Sequence, residues 1–417
     1  MESNNNSLVN ALLEKGVKIP NPYSIEVGKE VNIDQISGKD VVIHTGCKIF
    51  GKETVIMSGV KLGARSPVTI KDCQLGRNVE LKGGYFEYST FLDSANMGDG
   101  AEIRKGCLLE EKANGAHTVG LKQTILLPFV TLGSIVNFCD ALMAGGTSRK
   151  NHSEVGSSYI HFNYTPNQDK ATASLIGDVP HGVMLNQPPI FLGGQGGIVG
   201  PSRIGFNTVI AAGVIYRGDC PEGNKLLFNE GTPNEDKDFY PGIYWSVKRR
   251  VLNSIEYIAN IVALRQWYIN VRSKFYQQDG LEHLLYEGAL DKLEIVFNER
   301  VKRFNQLATK MEESIEKYES IKGKKASKNL LLEKRELLEN YENIEKVFRD
   351  TYSSSGDKEK KKEFLKALDN NIKENKSNYL QIIKNLDENT RNVGISWLSS
   401  IIEKIKDSAI RYLPSFT

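Results

Sequence analysis

Leu192, Ile198, Ile204 and Ile210 stand six residues apart, and Gly193, Gly205 and Ala211 follow three of them. Neither a helical period nor the alternation of a half-buried strand generates that spacing. Hexads with a small residue behind the apolar one are the mark of a parallel β-helix, in which each hexad forms one flat side of a triangular coil. The apolar residue points into the prism. The small residue is expected to let the backbone turn the corner without a Cβ clash. The phase recurs upstream in Ile43, Ile49, Ile56 and Leu62, in Leu75 and Leu81, in Met97, Ile103 and Leu109, and in Leu126, Leu132 and Phe138. Val155-Gly156 and Ile176-Gly177 are further starts. Slippages between these runs are what loops inserted at coil corners produce.

Composition divides the chain. Its 417 residues suggest two to three domains. An apolar content of 40% supports a buried core, and a formal charge of +3 gives no bias toward nucleic acid. Five cysteines without a C-x-x-C pair read as reduced thiols of a cytoplasmic protein, not a disulfide frame or metal site. Met1 leads into Glu2 and asparagines, unlike a secretory leader, and no apolar run reaches the ~18 residues of a transmembrane segment. Glycine crowds the first half and thins after residue 245, with Gly231, Thr232, Pro233, Asn234 and Pro241 punctuating the change. The expected order is an N-terminal helix and cap over 1–30, a β-helix over 31–235 and a helical domain over 236–417. Leu8 to Leu13 should form the capping helix. Apolar residues at helical spacing predict helices from Val251, through Leu281–Ile321, Lys328–Tyr352, Lys358–Ile383 and Val393–Tyr412, with breaks at Gly323, Ser353–Gly356 and Gly394. The basic run Lys358–Lys362 reads as a solvated helix face, with a nucleic-acid or anionic-lipid surface as the lesser alternative. The apolar side of the last helix, around Trp397 and Ile401, reads as bundle core in preference to a membrane-surface stripe.

Reactive side chains concentrate between residues 115 and 200: Arg149, Lys150, Asn151, His152, Ser153 and Glu154, then His161, Asn163, Tyr164, Asp169, Lys170 and Asp178, with His117 shortly before and His181 and Gln187 just after. Acyl transfer to an amine needs a group that accepts a proton and cations that hold phosphates. Histidine, arginine and lysine supply both. For any single histidine, a hydrogen-bonded corner residue is the plainer reading.

From Thr131-Leu132-Gly133 through Phe162-Asn163-Tyr164, Lys170, Leu175-Ile176-Gly177-Asp178 and Phe191-Leu192-Gly193-Gly194 to Val209-Ile210-Ala211-Ala212-Gly213, the chain resembles a known family. It is similar there to the acetyltransferase half of the bifunctional bacterial UDP-N-acetylglucosamine pyrophosphorylase / glucosamine-1-phosphate acetyltransferase. The resemblance covers about residues 125–220. It implies a left-handed coil, a homotrimer, and an intersubunit site for acetyl-CoA and an amino-sugar phosphate or nucleotide sugar. Asn163 and Tyr164 match the family's Asn-Tyr pair, and Lys170 its sugar-phosphate lysine. Gly194 and Ala211, with their neighbours Gly193 and Ala212, match the small residues of the coenzyme cleft. The family's catalytic histidine falls on Asp140, a following tyrosine on Met143, an upstream lysine on Pro128 and an asparagine on Glu154. An aspartate with an ordinary pKa near 4 is a poor base for an ammonium. His152 or His161 is therefore expected to take the proton, with Arg149, Lys150 and Lys170 holding anionic groups. The insertion Pro180–Pro189, with His181, Asn186 and Gln187, either reshapes the cleft or is a rigid, proline-set ornament of the corner. The uridylyltransferase half has no counterpart here. Gly193–Gly197 lies within the hexad register and lacks the following helix and basic residue of a phosphate loop. Acetyl transfer is the leading expectation. A trimeric sugar-nucleotide-binding or scaffold protein without catalysis is the alternative, and Mg²⁺-dependent uridylyl transfer a weaker one.

Overall fold

The computed structural model describes residues 2–228 and 236–416. Residues 229–235, where part of the expected boundary punctuation falls, lie outside the described residues. The first half is a parallel β-helix with three flat faces: two sheets of ten strands and one of eight, each pairing strands from successive coils. The first face runs from Val42–Ile43 to Leu226–Leu227, the second from Glu26–Val27 to Ile215–Tyr216, and the third from Val55–Ile56 to Arg203–Ile204. The hexad residues form its interior. Val155, Leu192 and Ile210 stack in register on the first face, and Ile176 and Ile204 on the third, all buried. Helix α1 (Glu2–Glu14) closes one end, with Val9 and Leu12 inside the prism core.

The small residues behind the hexad positions serve two purposes, and at several of them it is not the one their pattern suggests. Gly133, Gly193 and Gly205 are not among the residues with positive φ. A Cβ on Gly133 would instead lie 2.7 Å from the Ser157 nitrogen of the next coil. Left-handed backbone falls at other corner positions, including Asn78, Ser94, Lys112, Phe129 and Asp140. Gly133, Gly193 and Gly205 are set by the spacing between coils, whereas Gly63 and Gly177, behind Leu62 and Ile176, do take positive φ, at 80° and 78°.

Two insertions leave the junction of the third and first faces: a hairpin pairing Gly146–Ser148 with Asn151–His152, and a segment carrying α2 (Val179–Gly182). A third, residues 163–173, leaves the junction of the second and third faces. The remaining helices are α3 (Lys248–Asn270), α4 (Gly280–Thr309), α5 (Met311–Lys322), α6 (Lys328–Thr351), α7 (Lys358–Asn375), α8 (Tyr379–Lys384) and α9 (Glu388–Ile410). Gly394, expected as a break, lies inside α9. A Cβ there would lie 2.6 Å from Met184 and 2.7 Å from the Phe364 ring, so its role is close helix packing. The apolar stripe of α9, including Trp397, Leu398 and Ile401, is buried in the bundle. No described helix is long and apolar enough to cross a membrane.

The helices cover the third face. Leu108, Ile125, Leu142 and Leu175 point outward from it into one core shared with Ile258, Val262, Leu293 and Phe297. Strands of this face are consequently buried on both sides, unlike those of the other two.

Candidate active site

The expected site residues are distributed over all three corners of the prism. Asp140, His161, Asn163, Tyr164 and Lys170 belong to the second–third corner, and Arg149, Lys150, His152 and Gln187 to the third–first corner. Gly193, Gly194, Ala211 and Ala212 lie on the first–second corner. One chain does not gather them around one cleft.

His161 occupies the inward hexad position six residues after Val155, stacked on Ile198. It is 2% exposed. Its Nδ1 contacts the Cys139 carbonyl and its Nε2 lies 2.7 Å from Ser174 Oγ. Burial pulls the imidazole below its usual range. Both nitrogens are committed, so the side chain completes the core and faces no cleft. Asp140 is equally engaged: Arg300 of α4 donates to Oδ1 at 2.7 Å, and the Asn163 amide donates to Oδ2. The helical domain thus seals the position where the family resemblance places a base. Tyr164 remains exposed, with the Lys170 ammonium 6.0 Å from its ring centre. The loop holding them is anchored to the helices by Asp169, 3.2 Å from Arg250, and by Asn167, whose Oδ1 accepts from Gly242 N at 3.1 Å.

On the hairpin, Arg149 turns back onto the prism and donates to the Lys112 and Phe129 carbonyls and to Thr131 Oγ1 at 2.7 Å. Lys150 is exposed at the tip. His152 places Nε2 3.7 Å from Glu154 Oε2, beyond hydrogen-bond reach, and its buried Nδ1 has no partner among the described residues. Gln187 is half-buried; its carbonyl accepts from Gly146 N at 3.1 Å, tying the α2 insertion to the hairpin. Gly193 and Ala212 touch in successive coils, so close stacking already accounts for the small residues of that corner. Gly193–Gly197 passes directly into the strand Gly197–Val199, not into a helix, and has no phosphate-loop geometry.

One ordered constellation lies beside the expected cluster. His181 Nδ1 is 2.8 and 3.0 Å from the two oxygens of Asp178, which also accepts from the His181 backbone N–H as the N-cap of α2. Val179 N donates to Asn260 Oδ1 of α3 at 3.0 Å, fixing the insertion to the helical domain. The Asp178 carboxylate raises the His181 imidazole above its ordinary value. The spacing Asp-Val-Pro-His carried this signal in the sequence: an N-cap acid, a first-turn proline and a histidine one turn on.

The chain is similar to the bifunctional protein GlmU. The Thermotoga sp. strain RQ2 protein is 27% identical over 222 residues, covering 51% of this chain and 42% of the relative. The Thermotoga maritima protein is 26% identical over 222 residues, with the same coverage of each. That of Caldicellulosiruptor saccharolyticus is 28% identical over 224 residues, covering 54% of this chain and 43% of the relative. The chain therefore spans less than half the length of these GlmU relatives. No family model matches it. The parallel β-helix and the GlmU similarity together are consistent with the acetyltransferase half to which the sequence is similar.

Proposed function

We propose that the protein is a sugar-nucleotide acyltransferase of the hexapeptide-repeat type, cytoplasmic and homotrimeric, transferring an acetyl group from acetyl-CoA to an amino-sugar phosphate or nucleotide sugar. The observation that carries this reading is the similarity to GlmU over half the chain on a parallel β-helix whose corner insertions present cations and a histidine. Acetyl-CoA is a substrate here, and direct attack of the acceptor on its thioester needs proximity more than a resident cofactor. Lys150 and Lys170 are the cations left at exposed or partly exposed corners to meet phosphates, and Tyr164 supplies an exposed aromatic face beside Lys170. Incubation with acetyl-CoA and a panel of amino-sugar phosphates should release free thiol. Absence of turnover, together with no thermal shift from coenzyme A, overturns the proposal.

A second reading, a sugar-nucleotide-binding module without catalysis, draws on the engagement of Asp140 by Arg300. A thermal shift from UDP-N-acetylglucosamine in a protein that releases no thiol selects it. Uridylyl transfer with Mg²⁺ would require a phosphate loop, and the glycine run is a coil corner.

A further inference from the structure

His181 is the only described histidine hydrogen-bonded to a carboxylate. Because the Asp178 carboxylate can only accept, Nδ1 carries the proton of the neutral ring, and in that form Nε2 presents its lone pair. Among the described residues Nε2 has no hydrogen-bond partner, and the ring is half exposed. Phe206 meets the ring edge-on, 6.4 Å between ring centres. The ring borders a cleft of about 180 Å³ between the end of the third face and helices α3 and α9. The cleft is open to solvent on one side, so a bound group can extend beyond it. The charged groups facing the cleft are Asp178 itself, Arg203 of the third face, Glu256 of α3, and Glu403 and Lys406 of α9. Arg203 and Lys406 both turn toward Glu256, at 3.7 and 2.6 Å, which leaves Asp178 as the group in direct contact with the ring.

We propose that His181, oriented by Asp178, is the general base of acyl transfer in this protein, and that α9 of the helical domain completes its cleft. The inference rests on the acyltransferase reading above. Nε2 removes the proton from the acceptor amine or hydroxyl as that atom attacks the thioester carbonyl. The new C–N or C–O bond forms, the C–S bond breaks, and the imidazolium returns the proton to the departing thiolate. This is the orienting logic by which a carboxylate fixes the tautomer of a catalytic imidazole. It also gives the helical domain a part in the chemistry, since Ser399, Glu403 and Lys406 form one wall of the cleft.

The test compares the full-length wild type with His181→Gln and Asp178→Asn, using acetyl-CoA and the acceptor panel. NMR titration of the His181 ring in wild type and Asp178→Asn provides a readout independent of turnover. His181→Gln should lower kcat about 10²–10⁴-fold. Asp178→Asn should move both the ring titration and the ascending limb of kcat/KM to lower pH, because the carboxylate that raises the imidazole is gone. An active wild type with His181→Gln within tenfold of it overturns the base assignment and leaves the acyltransferase reading standing. No turnover by the wild type overturns both. Should His181→Gln fail to fold, Asp178→Asn decides: an unmoved limb and titration overturn the dyad.

Discussion

Asp140 turns a corner at φ 58°, accepts from two side chains, and pairs with Arg300 across the boundary to the helices. Both members of the pair are nearly withdrawn from solvent, at 10% and 6% side-chain exposure. Removing one partner of such a pair leaves an uncompensated buried charge and costs about 3–5 kcal/mol, whereas the intact pair is close to neutral against an apolar replacement. Arg300→Ala should therefore lower the unfolding free energy by about 3 kcal/mol. The double variant with Asp140→Asn should lose less than the sum of the two single changes, as urea titrations of all four proteins would reveal. Additive losses would show that the pair is uncoupled. The sequence displays some of this and hides the rest. Val155 is followed six residues later by His161, so the hexad phase already directs that imidazole inward. Asp178 and His181 were likewise readable as a local pair. Arg300 is 160 residues from Asp140, and no local pattern connects them.

At the level of elements, the third face differs from its neighbours in a way the sequence does display. Cys107-Leu108-Leu109, Thr124-Ile125-Leu126 and Ala141-Leu142-Met143 run apolar or small without the outward charges of Lys61-Leu62 or Glu80-Leu81. Such runs mark strands covered on both sides. The hexad reading attends only to the inward residue and so misses the cover. What pins the cover in place is polar. Arg272, just past the end of α3, donates to Glu110 at 2.6 Å and to Glu111 at 2.9 Å, and the Tyr268 hydroxyl donates to Glu110 at 2.7 Å. One guanidinium cannot fully compensate two adjacent buried carboxylates. Burial accordingly pushes Glu110 from 4.5 up to about 7, against the opposing pull of Arg272. A carboxyl group whose folded value exceeds its unfolded one binds its proton more tightly when folded. Its contribution is present below about 4.5 and is lost as pH climbs through about 7. The urea midpoint of the wild type should fall between pH 5 and pH 8 relative to that of Glu110→Gln, whose amide does not titrate. Parallel pH dependences for the two proteins would contradict the assignment of that proton to Glu110.

For the molecule as a whole, the third face is spoken for, and the other two change character along the prism axis. Outward positions of the first face read Lys61, Glu80, Asn96, Asn114, Thr131 and Glu154, then turn to Phe191, Val209 and Leu226. The second face passes from Glu102 and Asn137 to Ile160 and Ile215 over the same coils. Phe191, Val209, Leu226, Ile160 and Ile215 are each exposed by a third or more of their surface, and the corner between the two columns is lined by Gly194, Ala211 and Ala212. Exposed apolar surface that is contiguous and confined to one region marks an interaction site. In the proposed homotrimer, this end of the prism would be where the first face of one copy meets the second face of the next. A contact that joins two different faces must close into a ring to avoid a filament, and threefold closure does so. An ionised side chain at its centre would lose solvation with no partner, at a cost of several kcal/mol per buried ion. Val209→Glu should therefore convert the assembly to a single copy in sedimentation velocity. Lys61→Glu, a charge reversal on the same outward column at the polar end, should leave it intact. Retention of the assembly by Val209→Glu, or its loss in Lys61→Glu, would place the contact elsewhere on the prism. Because His181 lies on the third–first corner while Tyr164 and Lys170 lie on the second–third corner, first-to-second-face docking is also the arrangement that could bring one copy's base toward another copy's phosphate-binding side chains. The Val209→Glu protein should then lose turnover together with assembly while its His181 ring titrates as in the wild type.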